Sequence, residues 1–477
     1  MSHLPLIVDL DGTLILTDTL HEAALRALRD KPTALMRIPY WLSRGKAYLK
    51  QQLAAATNFD ASTLPYNQNF LLWLVAQRKQ GRSLILCTAS DQSMAQAVAA
   101  HLGIFDAVIA SDGITNLAGS NKAKALEQRF GRAGFDYAGN AKPDLQVWQV
   151  ARRAIVVNAS AALAKSAEAC CEVEQVFAPA GIDFSVWRRV LRVHQWMKNL
   201  LLFVPLLAAH QLPDSEHAWA LVFAFFSFSL CASAVYIAND LIDLDSDRQH
   251  PRKNKRPYAA GLVPVAYGVM LAPLLMLLSV LLGMQVEGSF LAWLGFYFLL
   301  TCAYSLILKR LVLVDCLTLA MLYTLRLIAG AAAAHMSLSF WLLAFAVFLF
   351  LSLAFVKRYA ELEAQSHSGK QKAHGRGYYT DDAPLVQTLG VTSGFAAVVV
   401  LALYLNSDAV VKLYHTPELV WGAVPVMLFW VSWVWMQAHR GKMNDDPLVF
   451  ALRDPASIVA GLLFASVVYA GARGWSW

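Results

Sequence analysis

Charged residues are scarce in this 477-residue chain, at 15% of positions, where an ordinary soluble domain carries roughly 25%. That shortage, beside 57% hydrophobic residues, excludes a uniformly soluble protein, and the length excludes one small domain. Cysteine is sparse too. None of the six (Cys87, Cys170, Cys171, Cys231, Cys302, Cys316) stands in a CxxC pair, so neither a zinc site nor a disulfide framework is expected. The opening Met-Ser-His-Leu-Pro-Leu-Ile-Val-Asp9 reaches an acid before any apolar stretch of useful length, and no cleavable signal peptide is expected. There is no fixed-period repeat and no low-complexity tract. The net charge is +7, but the cations are scattered through short loops. That distribution argues for a lipid bilayer as partner and against nucleic acid.

The scarcity is uneven. Up to about Val186 charges recur every few residues, whereas beyond Lys198 uncharged stretches follow one another almost to Trp477. At about 20 residues each, these are membrane-spanning helices. Candidates fall at approximately 198–212, 217–238, 262–285, 288–308, 311–333, 337–356, 383–407, 419–438 and 456–472. One set of loops is basic: Arg188, Arg189 and Arg192, then Arg248 to Arg256, Lys309 and Arg310, Lys357 to Arg376 (with Lys370 and Lys372), and Arg440 with Lys442. The opposite loops hold little beyond Lys412. The positive-inside rule therefore places the basic loops and the N-terminal part in the cytoplasm of a plasma (inner) membrane protein. An odd number of spans puts the C-terminus outside. The expected architecture has two domains: an α/β domain with a parallel sheet over 1–185, and an all-α polytopic bundle of about nine helices over 186–477.

In the first part, Leu6-Ile-Val-Asp9, Ser83-Leu-Ile-Leu-Cys87, Ala107-Val-Ile-Ala110 and Ala154-Ile-Val-Val157 are short apolar runs separated by helical patterns. Such alternation predicts a parallel sheet with functional loops at the strand C-termini. Asp9-Leu-Asp11-Gly12-Thr13-Leu14 follows the first run directly. Two carboxylates so placed can converge on one metal and one phosphate, Asp9 as nucleophile and Asp11 as proton donor and later base. Gly12 lets backbone amides approach the phosphate. The segment from about Ile15 to Gln77, with Trp41 and Trp73, is expected to form a small helical cap.

In the second part, Asn239-Asp240-Leu-Ile-Asp243-Leu-Asp-Ser-Asp247 closes the second span. Spacings of three and four stack Asp240, Asp243 and Asp247 on one helix face. Like charges at a membrane border need cations between them, and Mg²⁺, with open positions for a diphosphate, is the economical choice. Asp245 is expected to point to solvent. His250-Pro-Arg252-Lys253-Asn-Lys255-Arg256-Pro257 then offers a fork of cations for phosphate oxygens.

These strings resemble two known families. Asp9-Leu-Asp11-Gly12-Thr13 is similar to the first motif of the HAD phosphatase superfamily. That resemblance implies a phosphate-binding hydroxyl at Thr88, a charge-neutralising lysine at Lys122 (with Lys124 as competitor) and a metal-binding Asp144 beside Asp9 and Asp11. It departs from the pattern at Asn140, where the family usually has an acid. The Asn-Asp-x-x-Asp-x-x-x-Asp string with its basic sequel resembles the UbiA superfamily of intramembrane prenyltransferases. His194-Gln-Trp196-Met-Lys198-Asn199, Tyr304-Ser305 through Lys309-Arg310, Arg326, Lys357-Arg358-Tyr359-Ala-Glu361, Arg376-x-x-Tyr379 and Asp446-Pro447 extend it.

The UbiA resemblance implies Asp315 as a further metal carboxylate. Lys198, Asn239, Lys255, Arg256, Lys309, Arg326, Lys357 and Arg358 are the implied substrate-binding set. A single second-motif aspartate, with Leu319 four residues on, looks like the branch represented by decaprenyl-phosphate phosphoribosyltransferase. The implied reaction moves 5-phosphoribosyl from phosphoribosyl diphosphate to polyprenyl phosphate, and the HAD-like domain would dephosphorylate the product. Two alternatives are an aromatic prenyltransferase, with polyprenyl diphosphate as donor and a phenol or quinone precursor as acceptor, and a non-catalytic lipid-binding scaffold.

Overall fold

Leu6, Ile7 and Val8 are wholly buried and form a three-residue central strand, β1 (Leu6–Val8). In the structure, a computed structural model, residues 4–208, 215–367, 376–407, 414–443 and 446–474 are described. Lys370, Lys372, Lys412 and Trp477 lie outside them. β1 belongs to a six-stranded sheet with β2 (Leu84–Asp91), β3 (Ala107–Ser111), β4 (Asp136–Gly139), β5 (Arg153–Val157) and β6 (Glu172–Phe177). All neighbours are parallel, in the order β3-β2-β1-β4-β5-β6. The order reverses at β1, so a crevice opens at the carboxyl ends of β1 and β4.

Two of these strands carry no apolar run. β4 begins at Asp136, fully buried and held by Arg82 and by Arg152, whose Nε and Nη2 donate at 2.8 and 2.6 Å. β6 is a half-exposed edge strand, Glu-Val-Glu-Gln-Val-Phe. Ion pairing in the one and edge position in the other replace the hydrophobic signal on which a sequence reading depends.

Between β1 and β2 the helices Thr19–Asp30, Pro32–Leu35, Ile38–Ser43 and Lys46–Ala56 gather around Trp41, Leu49, Leu53 and Met94. The next helix, Gln68–Lys79, turns Phe70 and Leu74 into the sheet core. The cap is therefore shorter than 15–77, and Trp73 packs on Phe70 and Phe177 instead.

By contact the chain divides into two units. One runs to Leu191 and takes in Tyr236–Pro273, and the other comprises Arg192–Val235 and the chain from Leu274 onward. The first unit thus includes the acidic stretch that a boundary at 185/186 assigns to the membrane part.

Among the described residues seven helices are long and apolar enough to cross a membrane: His217–Ile242, Val265–Gly283, Val314–Ala333, Phe340–Ser366, Thr380–Leu405, Pro417–His439 and Pro455–Arg473. Phe290–Leu306 is a shorter apolar helix. The expected span at 198–212 is not one helix: Val193–Phe203 runs as 3₁₀ turns and Val204–Ala208 as a short α-helix. Lys198 and Asn199 are buried there, and Asn199 Nδ2 donates to Ser229 Oγ at 2.9 Å. Buried polar partners, not lipid, set the conformation of this segment.

Val314–Ala333 is the most buried of the seven, at 72%. A Cβ on Gly330 would lie 2.0 Å from the Leu202 carbonyl oxygen, so only glycine permits that backbone approach. Gly390 does the same between helices, since its Cβ would fall 2.2 Å from the Trp435 ring.

Candidate active sites

Asp9 leaves the end of β1 into a pocket of about 490 Å³ lined by Asp11, Gly12, Lys50, Lys122, Asn140, Asp144 and Asn158 among others. Lys122 Nζ donates to Asp9 Oδ1 at 2.6 Å and to the Tyr137 hydroxyl at 2.9 Å. Tyr137 in turn donates to Asp144 Oδ1 at 2.7 Å, and Asp144 Oδ2 accepts the amides of Asn140 and Ala141, both at 2.9 Å. The lysine that serves the site is thus Lys122, on the buried face of helix Ser120–Phe130, while Lys124 is exposed.

Burial, opposed by Lys122 and reinforced by Asp144, pushes the Asp9 carboxyl up to about 7. Burial and then Asp18 raise Asp11 as well, which suits a group that must hold a proton to give away. Asp11 is fixed by the Thr19 amide at 2.8 Å and hydroxyl at 3.3 Å, and by Ser90 Oγ. Gly12 sits at φ +73°, a conformation that strains any other residue, and a Cβ there would displace the Asn140 side chain, whose Nδ2 lies 2.0 Å from its position. Thr88 is fully buried beneath the site, where Oγ1 accepts the Ser90 amide at 3.0 Å. Sequence reasoning missed Ser90, Lys50 and Asn158. Asn158 follows β5 at φ 51° and donates to the Gly12 carbonyl at 3.2 Å; a polar residue just past a strand end was the available signal.

In the same unit, the helix Ser215–Ile242 ends before Asp243, and a second helix, Leu244–Gln249, begins after it. The helix is therefore interrupted at Asp243 (φ −88°, ψ 11°), although hydrogen bonds of helical spacing still run through it, from the Asp243 amide to the Asn239 carbonyl at 2.9 Å and from the Asp247 amide to the Asp243 carbonyl at 2.8 Å. Asp240 and Asp247 nevertheless converge on one guanidinium: Arg256 Nη1 donates to Asp240 Oδ1 at 3.0 Å and to Asp247 Oδ2. Asp247 is 1% exposed, and its Oδ1 has no hydrogen bond among the described residues, with Lys253 Nζ 3.8 Å away. Asn239 is half-buried and its carbonyl accepts the Asp243 amide at 2.9 Å, while Lys255 is exposed.

Asp245 is not solvated as expected. Arg26 binds it twice, at 3.1 and 2.7 Å, and Arg29 once, at 3.0 Å. Burial works to raise its pKa, but these two arginines hold the carboxyl below its ordinary value.

In the second unit, Asp315 is fully buried and takes Arg358 at Oδ2, with Arg376 Nη1 3.5 Å from the same oxygen. Its Oδ1 accepts the Tyr378 hydroxyl and the Cys316 amide, both at 2.7 Å. Glu361 closes the cluster, paired to Arg358 and to Arg376 Nε at 3.3 Å. The tyrosine engaged here is Tyr378; Tyr379, the residue of the Arg376-x-x-Tyr379 string, is exposed. Leu313, at φ 65°, donates its amide to the Tyr378 hydroxyl at 2.8 Å, a strained backbone next to a buried acid.

Lys198 Nζ donates to Asp446 Oδ2 at 2.6 Å, and Lys357 Nζ lies 3.6 Å from it. Arg326 is tied inside the bundle to Asn199 at 2.8 Å, the Tyr297 hydroxyl at 3.0 Å and the Leu322 carbonyl. Lys309 sits half-buried in the turn Leu308–Arg310.

Among the described residues no three Asp, Glu, His or Cys side chains form a ready-made metal cluster. The donor chemistry still fits a hard cation. In the pocket, four carboxylates (Asp9, Asp11, Asp18 and Asp144) stand against Lys50 and Lys122, of which Lys122 is paired to Asp9, and burial raises Asp9 and Asp11, a cost that a bound cation relieves. At the acidic helix the buried, unbonded Asp247 Oδ1 is an oxygen donor without a hydrogen-bond donor of its own.

Residues 200–453 match the UbiA prenyltransferase family, and residues 6–147 match haloacid dehalogenase-like hydrolases. An uncharacterized protein of Sinorhizobium fredii is 37% identical over 466 residues, 97% of this chain and 90% of its own. Nodulation protein NoeC of Azorhizobium caulinodans is 35% identical over 59% of this chain and 91% of its own. Decaprenyl-phosphate phosphoribosyltransferase of Mycolicibacterium smegmatis is 30% identical over 56% of this chain and 86% of its own.

Proposed function

Because the chain belongs to the UbiA prenyltransferase family and carries a haloacid dehalogenase-like domain in its N-terminal part, we propose that it transfers 5-phosphoribosyl from phosphoribosyl diphosphate to a polyprenyl phosphate, and that the N-terminal domain then removes the 5-phosphate. It is a multi-pass membrane protein of transferase type. The convergence of Asp240 and Asp247 on Arg256 carries the reading. It joins paired acids to a phosphate-binding cation at the end of an apolar helix, in a chain similar to a phosphoribosyltransferase over most of that enzyme's length.

On this reading Asp240, Asp243 and Asp247, with Asp315, would hold Mg²⁺ for the donor, and Asp9, Asp11 and Asp144 would hold it for the phosphatase. Bound Mg²⁺ supplies neutralisation of charge on a leaving diphosphate or a reacting phosphate. Arg256, Lys255, Lys198, Lys309, Lys357 and Arg358 bind phosphate oxygens, and Asn239 and Arg326 orient substrate. The bond from the anomeric carbon to diphosphate breaks, and an oxygen of the lipid phosphate closes on that carbon. Arg358, Arg376 and Tyr378 engage both Asp315 oxygens, so Asp315 would serve a metal only by exchanging one of these partners.

In the N-terminal pocket an Asp9 oxygen attacks phosphorus while the ester bond breaks, and Asp11 gives its proton to the departing ribose oxygen. Asp11 then takes a proton from the water that attacks phosphorus. The bond to Asp9 breaks and inorganic phosphate leaves. By the positive-inside rule the basic loops support a cytoplasmic setting, at the inner membrane, for both proposed activities.

The test supplies membranes with labelled phosphoribosyl diphosphate and, separately, labelled polyprenyl diphosphate. Label in a lipid product from the first and none from the second supports the proposal. The reverse result assigns aromatic prenyl transfer, and no product from either favours a lipid-binding scaffold.

A further inference from the structure

The pocket around Asp9 has a wall that phosphate chemistry does not require. Pro264 and Val265 line it, and Val265 is the first residue of the apolar helix Val265–Gly283, whose Tyr267, Val269 and Met270 are exposed. Nineteen helical residues rise about 28 Å, close to the thickness of a bilayer's hydrocarbon core. The start of such a helix lies at headgroup depth, and so does a pocket it lines.

The loop before the helix is fixed against the pocket. Gly261, at φ +70°, packs so tightly on Leu16, itself a lining residue, that a Cβ would lie 2.6 Å from the Leu16 Cβ. A soluble phosphate ester gains nothing from that position. A lipid headgroup does.

The pocket also holds a second ammonium group. Lys50, on the cap helix Lys46–Ala56, donates to the Ala89 carbonyl at 2.7 Å and to Asn116 Oδ1 at 3.3 Å, both neutral. Lys122 is already paired with Asp9, so the reacting phosphate has its lysine, and Lys50 reaches in from the cap side. Burial lowers the Lys50 pKa against the pull of Asp11 and Asp18, and an anion beside it restores the charged form.

Resting on the phosphatase reading above, we propose that this pocket takes a membrane-lipid phosphomonoester bearing a second phosphate group, with the second phosphate on Lys50 and the apolar chain leaving past Pro264 and Val265. The pair of phosphates and the lipid wall are what separate this substrate from ribose 5-phosphate.

Full-length protein in nanodiscs tests it by phosphate release, corrected for an Asp9→Asn control. The probes are ribose 5-phosphate, the methyl diester of 5-phosphoribosyl 1-phosphate, and the farnesyl diester of the same sugar. One charge-assisted contact, or the burial of about two methylene groups, is worth about a tenfold change, so kcat/KM should rise about tenfold at each step. Lys50→Gln should erase the first rise, through KM, while Lys50→Arg retains most of it. Val265→Asn should shrink the second rise alone. Equal kcat/KM for the three probes overturns the inference and leaves the phosphatase reading standing, as does a Lys50→Gln variant that slows all three alike. No release above Asp9→Asn from any probe sinks the phosphatase reading, and this inference with it.

Discussion

Arg248 forms a two-pronged ion pair with Glu22, Nη2 to Oε1 at 2.7 Å and Nη1 to Oε2 at 3.1 Å, between residues 226 apart in sequence. The pair is buried, with side chains 5% and 1% exposed. Glu22 also accepts the Thr17 hydroxyl at 2.7 Å, and the Thr17 carbonyl accepts the Gly12 amide at 3.1 Å. A chain of hydrogen bonds therefore runs from the acidic helix Leu244–Gln249 to the Gly12 loop that lines the pocket.

Removing Glu22 leaves Arg248 charged, buried and without its carboxylate, at a cost of about 3–5 kcal/mol, whereas removing Arg248 leaves Glu22 with Arg26 Nη2 at 3.6 Å and should cost less. Glu22→Ala and Arg248→Ala should each lower the melting temperature of the N-terminal unit, and the double variant should cost less than the sum. A double-mutant cycle read by thermal melts checks this. Additive losses would mean that the pair is not coupled.

Asp240→Asn and Asp247→Asn should each reduce transfer from labelled phosphoribosyl diphosphate by about 10²–10³-fold, the usual cost of removing one electrostatic contact to a reacting group. Chelating divalent cations should abolish transfer in the unsubstituted protein. Asp245→Asn, by contrast, loses the partner of Arg26 and Arg29 and should lower thermal stability more than turnover. Lipid-product counts and melts on the same preparations separate the two effects.

Asn140 stands where a further carboxylate would reach the pocket, and its amide already lies against Gly12. Asn140→Asp should lower the Mg²⁺ concentration giving half-maximal phosphate release by about tenfold, since ligand charge tunes affinity for hard cations. Titrating Mg²⁺ against phosphate release decides it, and an unchanged midpoint would remove Asn140 from the metal's surroundings.

Burial works to raise the pKa of Asp446, but Lys198 and Lys357 together hold its carboxyl well below the carboxylate range. A depressed folded-state pKa gives stability that is fully present above the unfolded value of about 4 and is lost as pH falls through the lower folded value. Asp446→Asn should therefore lower the melting temperature at pH 7, and the gap to the unsubstituted protein should close on acidification. Melts in detergent from pH 7 to pH 2 follow it: the gap should hold down to about pH 4 and narrow below it, and a gap unchanged between pH 4 and pH 2 would contradict the assignment.

Much of the molecule was legible before folding. Leu6–Val8 and Leu84–Asp91 carry enough consecutive apolar residues to declare strands, and the long uncharged stretches declare spans. β4 was hidden because its first residue is a buried acid neutralised by Arg82 and Arg152, partners far away in sequence. The stretch at 198–212 misled for the converse reason: it is apolar overall, but Lys198 and Asn199 are drawn inward by Asp446, Ser229 and Arg326.

The sequence by itself determined the two families, because motifs such as Asp9-Leu-Asp11-Gly12 and Asn239-Asp240-x-x-Asp243 are local strings that can be read before the chain folds. It also determined which stretches belong in lipid, since transfer free energy sums along the chain. Tertiary structure alone decided that Lys122 and not Lys124 meets Asp9, that Tyr378 and not Tyr379 holds Asp315, and that Asp245 pairs with arginines instead of water. Those choices depend on Coulomb and hydrogen-bond energies between groups tens to hundreds of residues apart, which exist only once the chain has closed the distance.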